Sequence, residues 1–455
     1  MRINKGQYGK STLVENSLAQ NLLLFPQISK KIIREFPQYS LTYFTEGLGR
    51  YADEKIIGGN AFEWWIQGRL SRPQTATGTT SGTGVSGTPF TVEFKENFAN
   101  KADILRFENG EQALITSSVQ TAGGYTYTMV LQTADATATF TAANAAAGKQ
   151  SGVIGNAHTE SSEKGYGNLV YPDKYINYLS ICRQAGEISG SAMTDVTWVE
   201  SGGQRLWYFT AESQIREKFM YEMELKRWYD KISVDSNGNP TMYADGKPVY
   251  TGDGLLAQID GGNMATYVPP LTEKEITNFL ADLRYTNGET NAKYLVFTGT
   301  AGLREFQQAM KDFYITDGSV LYYDADMSDD IKLGGDFLSY KAMGLTMTLV
   351  HNPLFDDPNL HHDLAPDGLP KESYKMVFVN FGVLPEGVSN LEMLVKGAEG
   401  INRGFIVKYI DGMVNPFNQN SMTAANSKDA FSVEYMSHTG VVLRRPKSCG
   451  ILQYG

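Results

Sequence analysis

The sequence predicts an α+β protein in which strands outnumber helices, and three observations carry that reading. Glycine supplies 46 of the 455 residues, and recurrent Thr, Ser and Tyr favour strands and turns over a helical bundle. Residues 210–232 have the spacing of one long helix, with apolar side chains on more than one side. Residues 271–349 place a capped helix, a buried strand and a second helix in succession. The length implies two or three domains, and 42% hydrophobic against 20% charged residues places the chain among folded proteins.

Residues 1–60 read as an irregular apolar arm. Leu22, Leu23, Leu24 and Phe25 run into Pro26, and Ile32, Ile33 and Phe36 into Pro37; each proline disfavours helix in the residue before it. An arm of this kind needs a surface to lie on. Residues 71–89 have the Thr, Gly and Ser content of a linker. Strands follow: Phe90, Val92 and Phe94 alternate with polar residues, Asn109-Gly110 marks a tight hairpin, and Tyr125, Tyr127, Met129 and Leu131 continue the period of two. A second loose stretch, residues 142–167, closes this block, which reads as a small β-domain at about 90–140 between flexible connections.

In the long helix, Ile215, Phe219 and Met223 fall four apart on one face, while Tyr221, Leu225 and Trp228 line a neighbouring one. Ile215, Phe219 and Met223 are expected against a sheet of their own domain, with Leu225 and Trp228 at least partly covered. Glu212 with Arg216, and Glu222 with Lys226, have the acid-before-base order that supports a helix. A hairpin is expected over residues 235–249 with Asp245-Gly246 at its tip. Thr272 to Glu275 form a capping box ahead of the stripe Ile276, Phe279, Leu280 and Leu283. Residues 294–297 read as a buried strand, and Leu303, Phe306 and Met310 as a helix. The last strands are expected at 345–349, 376–381, 405–410, 431–435 and 441–443.

Chemical motifs are sparse. Gly82 to Gly87 spells the dinucleotide pattern G-x-G-x-x-G, but a polar loop precedes it and a strand follows, the reverse of the strand-then-helix setting that cradles phosphates. Thr298 to Gly302 lies between a strand and a helix yet lacks the phosphate-binding lysine. Asp235, Asn237 and Asn239 alternate like a calcium loop, with Pro240 where that loop needs glycine. Asp324, Asp326, Asp329 and Asp330 lack its framework as well. His351, His361, His362 and Asp363 have no spacing that sets two imidazoles on one helical face. No catalytic, cofactor or metal residue is therefore assigned.

The net charge of −10 argues against general coating of nucleic acid, although both chain ends are mildly basic, the second through Arg444, Arg445 and Lys447. Cys182 and Cys449 are too few for a disulfide framework and read as reduced thiols of a cytosolic product. The N-terminus has no apolar run of signal-peptide length, and no run of about twenty apolar residues would span a membrane.

The order of parts (arm, β-rich excursion, long helix, hairpin, α/β unit and returning strands) resembles the tailed-phage major capsid fold of the Hong Kong phage type. The wording of Tyr171-Pro172-Asp173-Lys174-Tyr175-Ile176-Asn177-Tyr178 and of Phe62-Glu63-Trp64-Trp65 is similar to the capsid proteins of crAss-like gut phages. The resemblance implies an N-terminal arm at 1–60 and an extended loop region at 61–209 carrying the inserted β-domain. It further implies a peripheral domain with spine helix and hairpin at 210–270, an axial domain at 271–400 and return strands at 401–455. It implies a structural, non-enzymatic subunit that forms hexamers and pentamers of an icosahedral head around double-stranded DNA. Copies of the chain, portal, scaffolding and accessory or head-fibre proteins would be its partners, in a virion assembled in the host cytoplasm, with no cofactor and no membrane. A β-rich adhesin and an acidic hydrolase are the competing classes; the first has no use for the long helix, and the second requires one deep polar cleft.

Overall fold

The computed structural model describes residues 54–455 except 69–71, 86, 161, 163–164, 166, 168–170, 192–195, 202–203, 260–262, 288–291, 317–338, 383, 385–386 and 414–423. The greater part of the arm expected at 1–60, and the Asp324 to Asp330 cluster, lie outside the described residues. The chain divides into two compact units, Trp65–Tyr175 and the remainder.

Unit Trp65–Tyr175 is a closed six-stranded antiparallel barrel. Its strands run in the order Gln74–Ser81, Phe90–Phe94, Gly124–Leu131, Gln112–Thr121, Asp103–Phe107, Gln150–Asn156 and back to the first. The period-two residues point inward: Phe90, Val92, Phe94, Leu105, Ile115, Tyr127 and Met129 are at most 1% exposed, and the Phe90 and Phe140 rings stack at 4.3 Å. The expected hairpin turns at Gly110, whose φ of 92° suits glycine. The barrel is larger than the block expected at 90–140, because residues taken for connections supply two of its six strands. Gln74–Ser81 turns Gln74 and Ala76 inward and breaks its register near Gly78, while Gln150–Asn156 turns Ser151 inward. Small and polar inward residues leave no apolar alternation to read.

Among the described residues the main unit holds two six-stranded sheets. The first orders Glu54–Ile57, Leu391–Ala398, Ala430–Leu443 and Ser180–Ser189, with Ile401–Asn402 and Ile406–Asp411 added alongside. The two strands expected at 431–435 and 441–443 are one strand of fourteen residues, Ala430–Leu443. The polar stretch Ser437 to Gly440 hid the continuity, and position 440 suits glycine because a Cβ there would come within 3.3 Å of the Leu179 and Phe62 side chains. The second sheet orders Met264–Tyr267, Gly450–Tyr454, Met376–Asn380, Lys293–Thr298, Leu345–His351 and Ser339–Ala342.

Helix α1 (Trp207–Tyr229) packs on the first sheet, while α2 (Glu273–Asn287) and α3 (Thr300–Thr316) contribute to the core of the second. The capping box forms at the start of α2: Thr272 N–H donates to Glu275 Oε2 at 2.8 Å and Glu275 N–H returns to Thr272 Oγ1 at 3.3 Å. Residues Tyr243–Ala244 and Lys247–Pro248 form the expected hairpin, with Asp245 and Gly246 at φ 51° and 71°.

Candidate assembly surfaces

Helix α1 is fastened from two directions. Phe219, 1% exposed, lies between the rings of Phe405 at 6.0 Å and Tyr435 at 5.7 Å. Ile215 covers Gly186, where any Cβ would collide with the Ile215 side chain, and Met223 is buried. At the far end the buried Trp228 ring meets Phe297 and Phe355 edge-on at 5.2 and 5.5 Å, and its Nε1–H donates to buried Glu224 at 2.9 Å. Leu225 is half-buried against the same cluster. The five residues singled out on this helix thus anchor it to the fold rather than face outward. The ion pairs along it are Lys218–Glu222 and Lys226–Asp230, while Glu212 accepts from the Tyr409 hydroxyl. The pairing expected for Glu212 and Glu222 is redirected: Glu212 meets Tyr409 of a neighbouring strand, and Glu222 meets Lys218 one turn earlier on the same helix.

Another stripe of α1, Arg216, Met220, Met223 and Arg227, borders a cavity of about 470 Å³. Met393, Val395, Thr439 and the turn from Asn402 to Phe405 form the facing wall. Sequence reasoning missed this groove; its signal was the spacing of Met220 and Met223 between two arginines, which the apolar-face reading passed over.

Elsewhere the surface of the described residues offers exposed apolar groups. Ile181 on the first sheet, Tyr409 beside it, Met242 and Tyr243 on the hairpin, and Trp65 and Tyr171 are all exposed. Lys174 Nζ sits 5.8 Å from the centre of the Trp65 ring. The two segments that carry the family resemblance meet: Ala61–Ile66 and Asp173–Tyr178 pair as a two-stranded ribbon. Buried Phe62 and Trp64 alternate there with exposed neighbours.

Two polar clusters lie within the main unit. At the start of α3, Asp356 accepts from Thr300 N–H at 2.9 Å, from Thr300 Oγ1 at 2.7 Å and from Ser373 Oγ at 2.5 Å, and His351 Nε2 lies 2.7 Å away. Burial alone would raise the Asp356 carboxyl, but hydrogen bonds from His351, Ser373 and Thr300 outweigh it and hold the group below the usual range. The Thr298 to Gly302 segment is thus a helix start whose orphan N–H is capped by a carboxylate from elsewhere in the chain. On the opposite face of the first sheet from α1, His438 is 2% exposed and neither ring nitrogen has a hydrogen-bond partner. Burial, with Arg403 and Lys396 nearby, pushes its pKa down to about 4.

The remaining motifs fall apart in space. Gly82, Gly84 and Gly87 have positive φ in a barrel loop, and Asp235 accepts from the Asn237 and Asn239 N–H groups as a turn. His361 faces Leu354 O and the Tyr229 hydroxyl, away from the His351–Asp356 pair, and Asp363 pairs with Lys371. Among the described residues no three His, Cys, Asp or Glu side chains gather around a metal position, and no helix is long and apolar enough to cross a membrane.

A family model described as Crassvirus major capsid protein matches residues 1–455. The chain belongs to that family. It is a subunit of a viral shell, built on the α+β tailed-phage capsid fold. Solved structures similar to this shell subunit include that of Gordonia phage Cozz, at 10% identity and TM-score 0.42, covering 100% of this chain and 98% of that one. The capsid of a native GTA particle is 12% identical at TM-score 0.40, covering 95% and 96%. Mycobacterium phage Patience is 11% identical at TM-score 0.34, covering 66% and 78%. A search of the curated proteins finds no match.

Proposed function

We propose that the chain is the repeating, non-enzymatic unit of an icosahedral phage head, assembling with its own copies as hexamers and pentamers around double-stranded DNA. The observation that carries this reading is a family match running through all of residues 1–455, barrel included. Shell building needs broad self-complementary surfaces rather than a pocket, and apolar groups spread over ribbon, hairpin and sheet suit that need. A body of net charge −10 encloses DNA without adhering to it along its length.

In this reading residues 1–60 are the arm and 61–209 the extended loop region, with the barrel as an insertion upon it. Residues 210–270 supply the peripheral domain, 271–400 the axial domain, and 401–455 the returning strands. The barrel contacts a neighbouring subunit or an accessory or head-fibre protein; portal and scaffolding proteins are further partners. The protein resides in the virion after assembly in the host cytoplasm. Electron microscopy of particles formed by the expressed chain tests the proposal: closed shells with fivefold and sixfold capsomers are expected, and a persistent monomer with substrate in a cleft overturns it. Replacing residues 65–175 by a short linker is expected to leave the main unit folded and to impair assembly.

A further inference from the structure

On the face of the first sheet away from α1, three basic side chains meet with no acid among them: Lys396, Arg403 and His438. The backbone forces the meeting. Strands Leu391–Ala398 and Ala430–Leu443 pair as far as Val395 opposite Thr439. At the next position Arg403 comes between them, its N–H donating to Lys396 O at 2.9 Å and its carbonyl accepting from His438 N–H at 2.9 Å. Most of the donors gathered there are unused. His438 is 2% exposed and neither ring nitrogen has a partner; Arg403 Nε is buried and lacks one as well. The Arg403 fork reaches Met436 Sδ at 3.5 Å, a weak acceptor, and the Lys396 ammonium takes Gly58 O. Carboxylates on the flanking strands are engaged elsewhere, Glu434 with Arg183 at 3.3 Å and Glu392 with Arg444. Glu399, exposed in the turn that follows Lys396, bonds to none of the three.

Buried donors are seldom left without acceptors, and clustered cations without a counter-charge are costly. We infer that Lys396, Arg403 and His438 form a binding site for an oxyanion, seated on the Arg403 fork and the Lys396 ammonium with His438 as its inner wall. Lys396 and Arg403 are half-buried, so the position is reached from the surface past their side chains. A planar guanidinium fork matches the paired oxygens of carboxylate, phosphate or sulfate. Contact from His438 as a donor at either nitrogen is assured only in its protonated form. Burial, Arg403 and Lys396 all disfavour that proton, and the charge of an anion opposes them, so ligand and proton bind together. A free oxyanion and a side-chain carboxylate of a second copy share this chemistry.

The site belongs to one chain, and its occupation by sulfate does not depend on the shell reading. Nuclear magnetic resonance of the full-length chain with isotope-labelled histidine tests it, the His438 signal being identified among the five histidines by its absence from His438→Gln. Sodium sulfate, added against sodium chloride at equal ionic strength, is expected to displace that signal saturably and to raise its titration midpoint by about one pH unit or more. Reciprocity then makes sulfate bind about tenfold tighter to the protonated form for each unit of that rise. Arg403→Gln is expected to abolish the response, and Arg403→Lys, which keeps the charge without the fork, to retain a weaker one. A sulfate response no larger than that to chloride, or one that survives intact in Arg403→Gln, overturns the proposal. Solid-state spectra of assembled particles separate the two sources. A midpoint already raised without sulfate assigns the site to a carboxylate of a neighbouring copy, and one that rises only with sulfate assigns it to a free oxyanion; a midpoint that stays low in both overturns the proposal.

Discussion

The barrel and the main unit solve the same problem, closing a sheet-based core, with opposite uses of the chain. Every barrel strand finds its partners between Gln74 and Asn156. In the main unit, Glu54 pairs with Met393 and Ser180 with Thr439, so its first sheet cannot form until distant parts of the chain meet. Loop closure makes such pairings slow, and the barrel is expected to fold as a separate, faster unit. Short-range pairing makes the barrel a module that can be lost or exchanged. Long-range pairing makes the main unit answerable to the whole chain.

Substitutions that remove one buried ring from each unit probe this division most strongly. Phe94→Ala in the barrel and Phe219→Ala under α1 are each expected to cost about 3–5 kcal/mol. Hydrogen exchange is expected to show loss of protection in the barrel alone for the first and throughout the first sheet for the second; spread of the first effect into the main unit would break the comparison.

Acid is expected to separate the units next. His438 titrates near 4 when folded against 6.5 ordinarily, so the unfolded chain binds its proton first. Stability of the main unit then falls as pH drops from about 6.5 to 4, by about 3 kcal/mol, and is flat below that window for this group. His438→Gln is expected to abolish the slope in urea titrations across that range. Asp356 acts lower: its depressed carboxyl stabilises the fold above the ordinary carboxylate range and loses that contribution as pH falls through its folded value. Asp356→Asn is expected to cost about 2 kcal/mol, read as a lowered denaturation midpoint. The smallest effect belongs to Lys218→Ala, whose exposed pair with Glu222 spans 3.8 Å and is worth at most about 0.5 kcal/mol.

What the sequence made legible follows from how local the signal is. The capping box at Thr272, the alternation from Phe90 to Phe94 and the two faces of α1 each lie within a few residues and are present in the structure. Gln74–Ser81 and Gln150–Asn156 were missed because a closing barrel strand needs backbone partners more than apolar side chains. Asp356 at the start of α3 and His438 beneath Arg403 and Lys396 owe their chemistry to residues distant in the chain. The groove beside Met220 was missed, since Met223 had been assigned to the face that packs on the sheet and the facing wall comes from distant parts of the chain.

Strand Ala430–Leu443 carries a consequence in mechanics. It is flanked by Ser180–Ser189 on one side and by Ile406–Asp411 and Leu391–Ala398 on the other, its pairing with the first running without interruption from Ala430 to Thr439. Inter-strand hydrogen bonds stand perpendicular to the strands. A tension directed along this strand therefore loads many of them together in shear, whereas a force across it opens them one after another. The sheet is stiff along one axis and peels along the other, so the direction of strain, as much as its size, sets when the subunit yields.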